Sequence, residues 1–208
     1  MRRAGGGAIA ARIAAEQQVR TLAFQDPLTG LANRRRFDEA LQAAVACPPR
    51  SGAMHALLLL DLNGFKRVND LHGHAIGDEL LVVVAQRLLS AIREADLLSR
   101  FGGDEFAVLA QHLLGPEAAS SLARRIIAAL EQPITTGRAS HQVGVGIGIA
   151  LIPVDATSSQ EAVRRADLAL YRATAERRSA LRLFEEPMDR QIAERDRMEN
   201  LLREGYRR

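Results

Sequence analysis

The sequence predicts an α/β (α+β) domain, a central mixed sheet of about five strands flanked by helices, and three observations predict it. Residues 54–62, MHALLLLDL, form an apolar run bounded by turn signals, as a strand buried on both faces requires. Segments with helical apolar spacing alternate with strand-like segments, a pattern satisfied by one sheet with helices packed on it. Two short apolar segments around Gly102-Gly103 read as a hairpin, and a hairpin among alternating elements makes the sheet mixed.

Residues 8–25 read as a helix with an imperfect stripe of Ile9, Ile13, Val19, Leu22 and Phe24. Asp26-Pro27 breaks it, and Thr29-Gly30 prolongs the turn. From Asn33 a second amphipathic helix carries Phe37, Leu41 and Val45, and Pro48-Pro49 ends it. After the buried strand come a short helix around 65–71 and a longer one over about 78–92, with Leu80, Leu81, Val84, Leu88 and Ile92 on one side. Strands 97–100 and 105–109 form the hairpin, and a helix over about 117–130 closes at Pro133. Residues 143–152 alternate Val or Ile with Gly in a strand-like way; helix 159–176, a short strand near 181–184 and a polar helix from about 187 finish the chain. Three parts follow: a linker helix at 1–25, a domain at 26–185 and a connector helix at 186–208.

Composition excludes several functions. A chain of 208 residues, 47% hydrophobic and 25% charged, fills one core and is too short for two large domains. One cysteine, Cys47, allows no internal disulfide, and no Cys/His spacing fits zinc, so a reducing, cytoplasmic setting is expected. No apolar run reaches the roughly 18 residues of a membrane span. With a net charge of only +3, 4% aromatics and no Trp, the arginines read as solvated surface and no nucleic-acid partner is expected.

The chemistry concentrates in three segments. Asp61 ends the buried strand, where sheet proteins present functional groups, although an aspartate there also serves as a cap for the turn that follows. Asp104 and Glu105 sit together at the hairpin tip, and with Asp61 they offer the oxygen ligands that Mg²⁺ prefers beside substrate phosphates. Between them, Gly64 lets backbone N–H groups approach a phosphate at a helix start, and Lys66 neutralises charge there. Asn69 lies one turn beyond Lys66, and its amide with the Asp78 carboxylate suits the donor–acceptor edge of guanine; each is also an ordinary helix-end residue. His72 and His74 fall on the same loop, where metal ligation is one reading and packing or a ribose contact the favoured one. No G-x-x-x-x-G-K-[ST] is present, which excludes P-loop chemistry, and the glycines of 144–148 do not match G-x-G-x-x-G.

Taken together, DPLTGLANRRRF (26–37), DLNGFKRVNDLHGHAIGDELL (61–81) and RFGGDEF (100–106) resemble the GGDEF diguanylate cyclase family over roughly 22–185. The resemblance implies a fold like that of nucleotidyl cyclases and the polymerase palm, and a reaction joining two GTP into cyclic di-GMP with release of pyrophosphate. It implies a Mg²⁺ (or Mn²⁺) site from Asp61, the Leu62 carbonyl, Asp104 and Glu105, with Asp104, Glu105 and Lys66 as the catalytic set. Triphosphate contacts would come from Lys66, the backbone of Gly64 and Phe65, and Arg178; Asn69 and Asp78 would read guanine, and His74 would lie near the ribose. One GTP per chain implies a homodimer of half-sites. Arg93 and Asp96 resemble the family's product-inhibition site, where they would hold cyclic di-GMP, though a surface ion pair is the plainer reading.

Departures accompany the resemblance. Thr174 stands where the family usually has Lys, Arg177-Arg178-Ser179 where it has Gly-Arg-Asn, and Asn63 and Gly146 depart more mildly. The ends of the chain resemble a linker from a sensor domain and a connector into an EAL phosphodiesterase domain, so adjacent sensor and EAL domains are expected in a longer protein. The alternative to an active cyclase is a weak GTP- or cyclic-di-GMP-binding regulatory module.

Overall fold

A computed structural model of the protein describes residues 23–186 apart from 48, 50, 51, 138, 177 and 178. The expected terminal helices at 8–25 and from 187 fall mostly or wholly outside the described residues, as do Arg177 and Arg178. In chain order the elements are α1 (Arg34–Ala46), β1 (Met54–Asn63), α2 (Phe65–His72), α3 (His74–Ala91), β2 (Leu97–Gly102), β3 (Glu105–Leu113), α4 (Pro116–Glu131), β4 (Ile134–Thr136), β5 (Ala139–His141), β6 (Gly144–Ile152), α5 (Ser159–Thr174) and β7 (Ala180–Leu183).

Five strands form one sheet in the order β2-β3-β1-β6-β7, with β4 and β5 a separate two-stranded ribbon. The β2–β3, β3–β1 and β1–β6 pairs are antiparallel and β6–β7 is parallel, so the sheet is mixed. The apolar run of β1 is continuous because both of its faces are covered. Ala56, Leu58, Leu60 and Leu62 pack with Leu80, Leu81, Val84 and Leu88 of α3 and Ile126 and Leu130 of α4. Leu57 and Leu59, pointing the other way, pack with Phe37 and Leu41 of α1 and Ala162 and Ala166 of α5. Each such leucine contributes roughly 1.5–3 kcal/mol of burial. Asp61 continues the odd-numbered series, so its side chain leaves the strand on the α1–α5 side.

Local chemistry sets the helix ends. The Asn33 side chain caps α1 through the Arg36 N–H, and Ser158 caps α5 through that of Glu161. Small residues let α5 lie directly on β6: a Cβ at Gly148 would meet the Ala166 carbonyl oxygen at 2.1 Å. Arg87 of α3 donates to the carbonyls of Ala129, Gln132 and Pro133 at the end of α4, and Arg125 of α4 donates to Ala91 at the end of α3. These arginines cap helices and complement their dipoles.

Three features differ from the sequence expectation. The long helix begins at His74 rather than near 78, because Gly73, with φ 83°, breaks the chain and Gly77 is accommodated inside the helix. Strand β3 runs on to Leu113, past the apolar stretch. The β4–β5 ribbon was not expected, since each strand has only three residues, too few for periodicity to register. No helix among the described residues is long and apolar enough to cross a membrane.

Candidate active site

Strand pairing brings the acids of two segments together. Asp61 lies directly across from Glu105 on β3 and, on its other side, from Gly146 on β6. Gly102 and Gly103, with φ of 141° and 52°, turn the hairpin so that Asp104 and Glu105 follow at once. The Leu62 N–H donates to the Asp104 carbonyl at 3.4 Å, tying the hairpin tip to the strand end. Asp61 is half-buried, and its pKa is pushed up to about 6, first by burial and then by the charges of Asp104 and Glu105. Among the described residues no three His, Cys, Asp or Glu side chains are grouped so as to hold a metal ion, so the expected convergence of the Asp61, Asp104 and Glu105 side chains is not seen. The backbone brings the three acids to one end of the sheet, where Asp61 feels the charges of the other two. Such oxygen-only donors fit Mg²⁺, which takes one or two carboxylates and completes its octahedron with water and phosphate.

The hairpin is held from behind by a clasp that sequence reasoning missed. Arg100 donates through Nε and Nη2 to the Gly103 carbonyl at 3.1 and 2.8 Å, and through Nη1 to both Asp26 carboxylate oxygens at 3.1 Å. Asp26 also accepts from the Thr29 N–H at 2.8 Å and hydroxyl at 2.6 Å. Burial pushes the Asp26 pKa up, yet the hydrogen bonds from Thr29 and Arg100 outweigh it and leave the carboxyl below its usual value. The DPLTG and RFGGDEF strings are therefore one structural unit.

The residues expected around the nucleotide lie beside β1. Gly64, with φ 89°, starts α2 without a side-chain cap, so the first N–H groups of α2 carry no side-chain acceptor. Gly64 lines a hollow of about 840 Å³ together with Arg67, Gly144 and Ser179. Phe65 is buried and Lys66 exposed. Asn69 turns toward α3, where a Cβ at Gly77 would sit 1.9 Å from its Oδ1, and that buried oxygen has no partner. His74 and Asp78 are exposed on α3 beside this corner. A second groove, of about 610 Å³, runs between α1 and α5 and reaches Glu105; Arg34, Phe101, Arg164 and Asp167 line it.

Arg93 and Asp96 close a turn before β2. Asp96 accepts from the Arg93 N–H at 3.1 Å and the Gln111 N–H at 3.3 Å, and the Arg93 side chain is exposed. The two departures Gly146 and Thr174 prove to be neighbours. The Thr174 methyl lies 2.6 Å from where a Cβ on Gly146 would stand, and its hydroxyl donates to the Tyr171 carbonyl at 3.1 Å. Nothing in the linear sequence joins positions 28 residues apart.

Fold and site together define a nucleotidyl-cyclase-like domain with an acidic hairpin. The chain belongs to the GGDEF family: the family model for the diguanylate cyclase GGDEF domain matches residues 23–180. It is 36% identical over 194 residues to the bifunctional diguanylate cyclase/cyclic di-GMP phosphodiesterase MucR of Pseudomonas aeruginosa, covering 93% of this chain and 28% of that protein. The solved GGDEF domain of TpbB from the same organism matches at a TM-score of 0.78 and 37% identity, over 81% of this chain and 99% of that one. The coiled coil and GGDEF domain of DgcB from Caulobacter crescentus, solved in complex with c-di-GMP, match at a TM-score of 0.76 and 27% identity, over 86% and 96% of the two chains. The chain spans about a fifth to two-fifths of the length of the curated relatives it matches.

Proposed function

We propose that the chain is a diguanylate cyclase, joining two GTP into cyclic di-GMP and pyrophosphate where two copies face each other. The observation that carries this reading is Asp61 standing directly opposite Glu105 at the open end of the sheet, with Asp104 in the adjoining turn. Asp61, the Leu62 carbonyl, Asp104 and Glu105 would hold Mg²⁺ (or Mn²⁺), which when bound draws charge from the phosphates and favours attack at phosphorus. The uncapped start of α2 at Gly64 and Phe65, with Lys66 and Arg178, takes the triphosphate. Asn69 donates through its amide N–H to the guanine O6 or N7 while Asp78 accepts from the N1–H and amino group, and His74 approaches the ribose. Asp104 takes the proton as the 3′-hydroxyl of one GTP attacks the α-phosphorus of the other. A second, symmetric step closes the ring, so each half-site needs its partner. Arg93 and Asp96 form the product-inhibition site, with Arg93 supplying the free cation.

Incubation with GTP and Mg²⁺ across a protein concentration series tests the reading. Formation of cyclic di-GMP and pyrophosphate, rising steeply with concentration as dimers form, is expected. A chain that binds GTP yet makes neither product at any concentration overturns it. That outcome would favour a regulatory module holding GTP or cyclic di-GMP, a second reading supported by the methyl of Thr174 lying over β6 where the family supplies a cation.

A further inference from the structure

Helix α3 carries a glycine where helix chemistry argues against one. Gly77 is buried in the first turn of α3, one residue before Asp78, and its backbone is not in the left-handed region, so alanine there would hold the helix better. The backbone gives no reason for glycine; the packing does. A Cβ built on Gly77 would stand 1.9 Å from the Asn69 Oδ1, 3.0 Å from its Cγ and 3.3 Å from the Phe65 Cζ. The Asn69 oxygen therefore occupies the place of the missing side chain, and it is buried there without a hydrogen-bond partner. Backbone bonds tie the same two residues together: the Gly73 N–H donates to the Asn69 carbonyl at 2.9 Å, and the Gly77 N–H to the Gly73 carbonyl at 3.3 Å.

An unpartnered buried oxygen carries a desolvation cost, and here that cost has a direction. A carboxamide has an acceptor end and a donor end. Of the two ends of Asn69 only the oxygen is buried without a partner, so the Nδ2 donors are the end left for a ligand. We propose that Gly77 is a positioning residue for base selection. By leaving room for the Asn69 oxygen, it fixes which end of that carboxamide meets the base. This inference rests on the guanine-reading role given to Asn69 and Asp78 above. Guanine presents two acceptors, O6 and N7, to a donor, whereas adenine puts an amino group in place of O6. A carboxamide with its nitrogen outward suits the first edge and meets the second donor to donor. A methyl at position 77 pushes the oxygen out of its space, and Phe65 closes the rest of that space, so the amide must turn.

Binding of 3′-deoxy-GTP tests the role, since this analogue lacks the attacking hydroxyl and stays intact. The full chain is titrated by calorimetry in excess Mg²⁺, alongside Gly77→Ala, Asn69→Ala and the double variant. Gly77→Ala should weaken binding about tenfold, as the loss of one hydrogen bond to the base would, and Asn69→Ala by as much. The double variant should bind like Asn69→Ala alone, because the added methyl then has no amide to displace. It also supplies a folded reference in which that methyl has room. The preference for 3′-deoxy-GTP over 3′-deoxy-ATP, measured in competition, should fall about tenfold in Gly77→Ala, whereas a general loosening of α3 would weaken both analogues alike. Parent-like affinity in Gly77→Ala, a further loss in the double variant beyond Asn69→Ala, or an unchanged base preference would each overturn the positioning role and leave the cyclase reading intact. A parent that does not bind the guanine analogue overturns both. One that binds it yet makes no product from GTP overturns the cyclase reading alone.

Discussion

Asp26 and Asp61 are the same residue type, both partly withdrawn from water and both against the same hairpin, yet their carboxyls are pushed in opposite directions. Asp26 faces Arg100 and two donors from Thr29, so its charge is welcomed. Asp61 faces two further acids, so its charge is resisted. The first arrangement is what a fold does to hold itself together. The second is a local conflict that a fold tolerates only where something outside the chain resolves it. Substitution should therefore separate the two aspartates by what is lost.

The largest effect should come from the resisted charge. Asp61→Asn and Glu105→Gln should each lower cyclic di-GMP formation by roughly a thousandfold, since a lost metal ligand removes several kcal/mol of charge stabilisation. Both should leave the metal-free thermal midpoint equal or higher, because each relieves repulsion. Pyrophosphate release and a melting curve on the same preparation check this pair of outcomes. A midpoint that falls in Asp61→Asn would erase the contrast with Asp26.

Asp26→Ala should do the reverse first. Its ion pair with Arg100 is only 10% and 13% exposed at the side chains, and stranding the guanidinium should cost about 3 kcal/mol. Chemical denaturation should show that loss, with a smaller one of about 1 kcal/mol for Thr29→Val, which removes the hydroxyl's hydrogen bond to Asp26 and the long one it accepts from the Leu31 N–H. Activity should fall only through the hairpin's looser tip, since Arg100 also holds the Gly103 carbonyl.

Changing pH tests the same contrast without mutation. The folded pKa of Asp61 is raised to about 6 from 3.8, so its contribution to stability is fully present below about 4 and is lost as pH rises through 6. Without metal, going from pH 5 to pH 7 should cost the parent at most about 1 kcal/mol after solvent screening, and Asp61→Asn should not show that slope. Asp26 has the opposite sign: its contribution is present above 3.8 and disappears as pH falls further. Mg²⁺ competes with the Asp61 proton, so its apparent affinity should weaken below about pH 6.

The same contrast explains what could be read from the sequence. The buried strand was legible because, of the seven consecutive buried positions before Asp61, only His55 is polar. The hairpin was legible because two glycines announce a turn. The Asp26–Arg100 clasp was not, because its partners are 74 residues apart and each has an ordinary local excuse, a helix-breaking Asp-Pro and a strand-end arginine. The orphaned Asn69 oxygen was half legible: helical spacing gave its face, while only packing shows Gly77 closing over it. The β4–β5 ribbon, too short to show a period, stayed hidden.

The smallest effect belongs to Gly146 and Thr174, which wall the acid site on the side away from Glu105. Cross-strand partners share a face, so the space over Gly146 adjoins the Asp61 carboxyl, and the Thr174 methyl fills it. Gly146→Ala should cost about 1 kcal/mol by overpacking against that methyl. Thr174→Ala removes the methyl, so the double variant should recover most of the loss and show a coupling of about 1 kcal/mol in a double-mutant cycle. Strict additivity would mean the two positions do not touch. Thr174→Lys sharpens the point, because it exchanges an apolar wall for a charge beside phosphate and carboxylates. It should lower the KM for GTP by about tenfold, as one charge-assisted contact would, and pull the Asp61 pKa back toward the ordinary range. An unchanged KM would mean that this wall never faces the triphosphate.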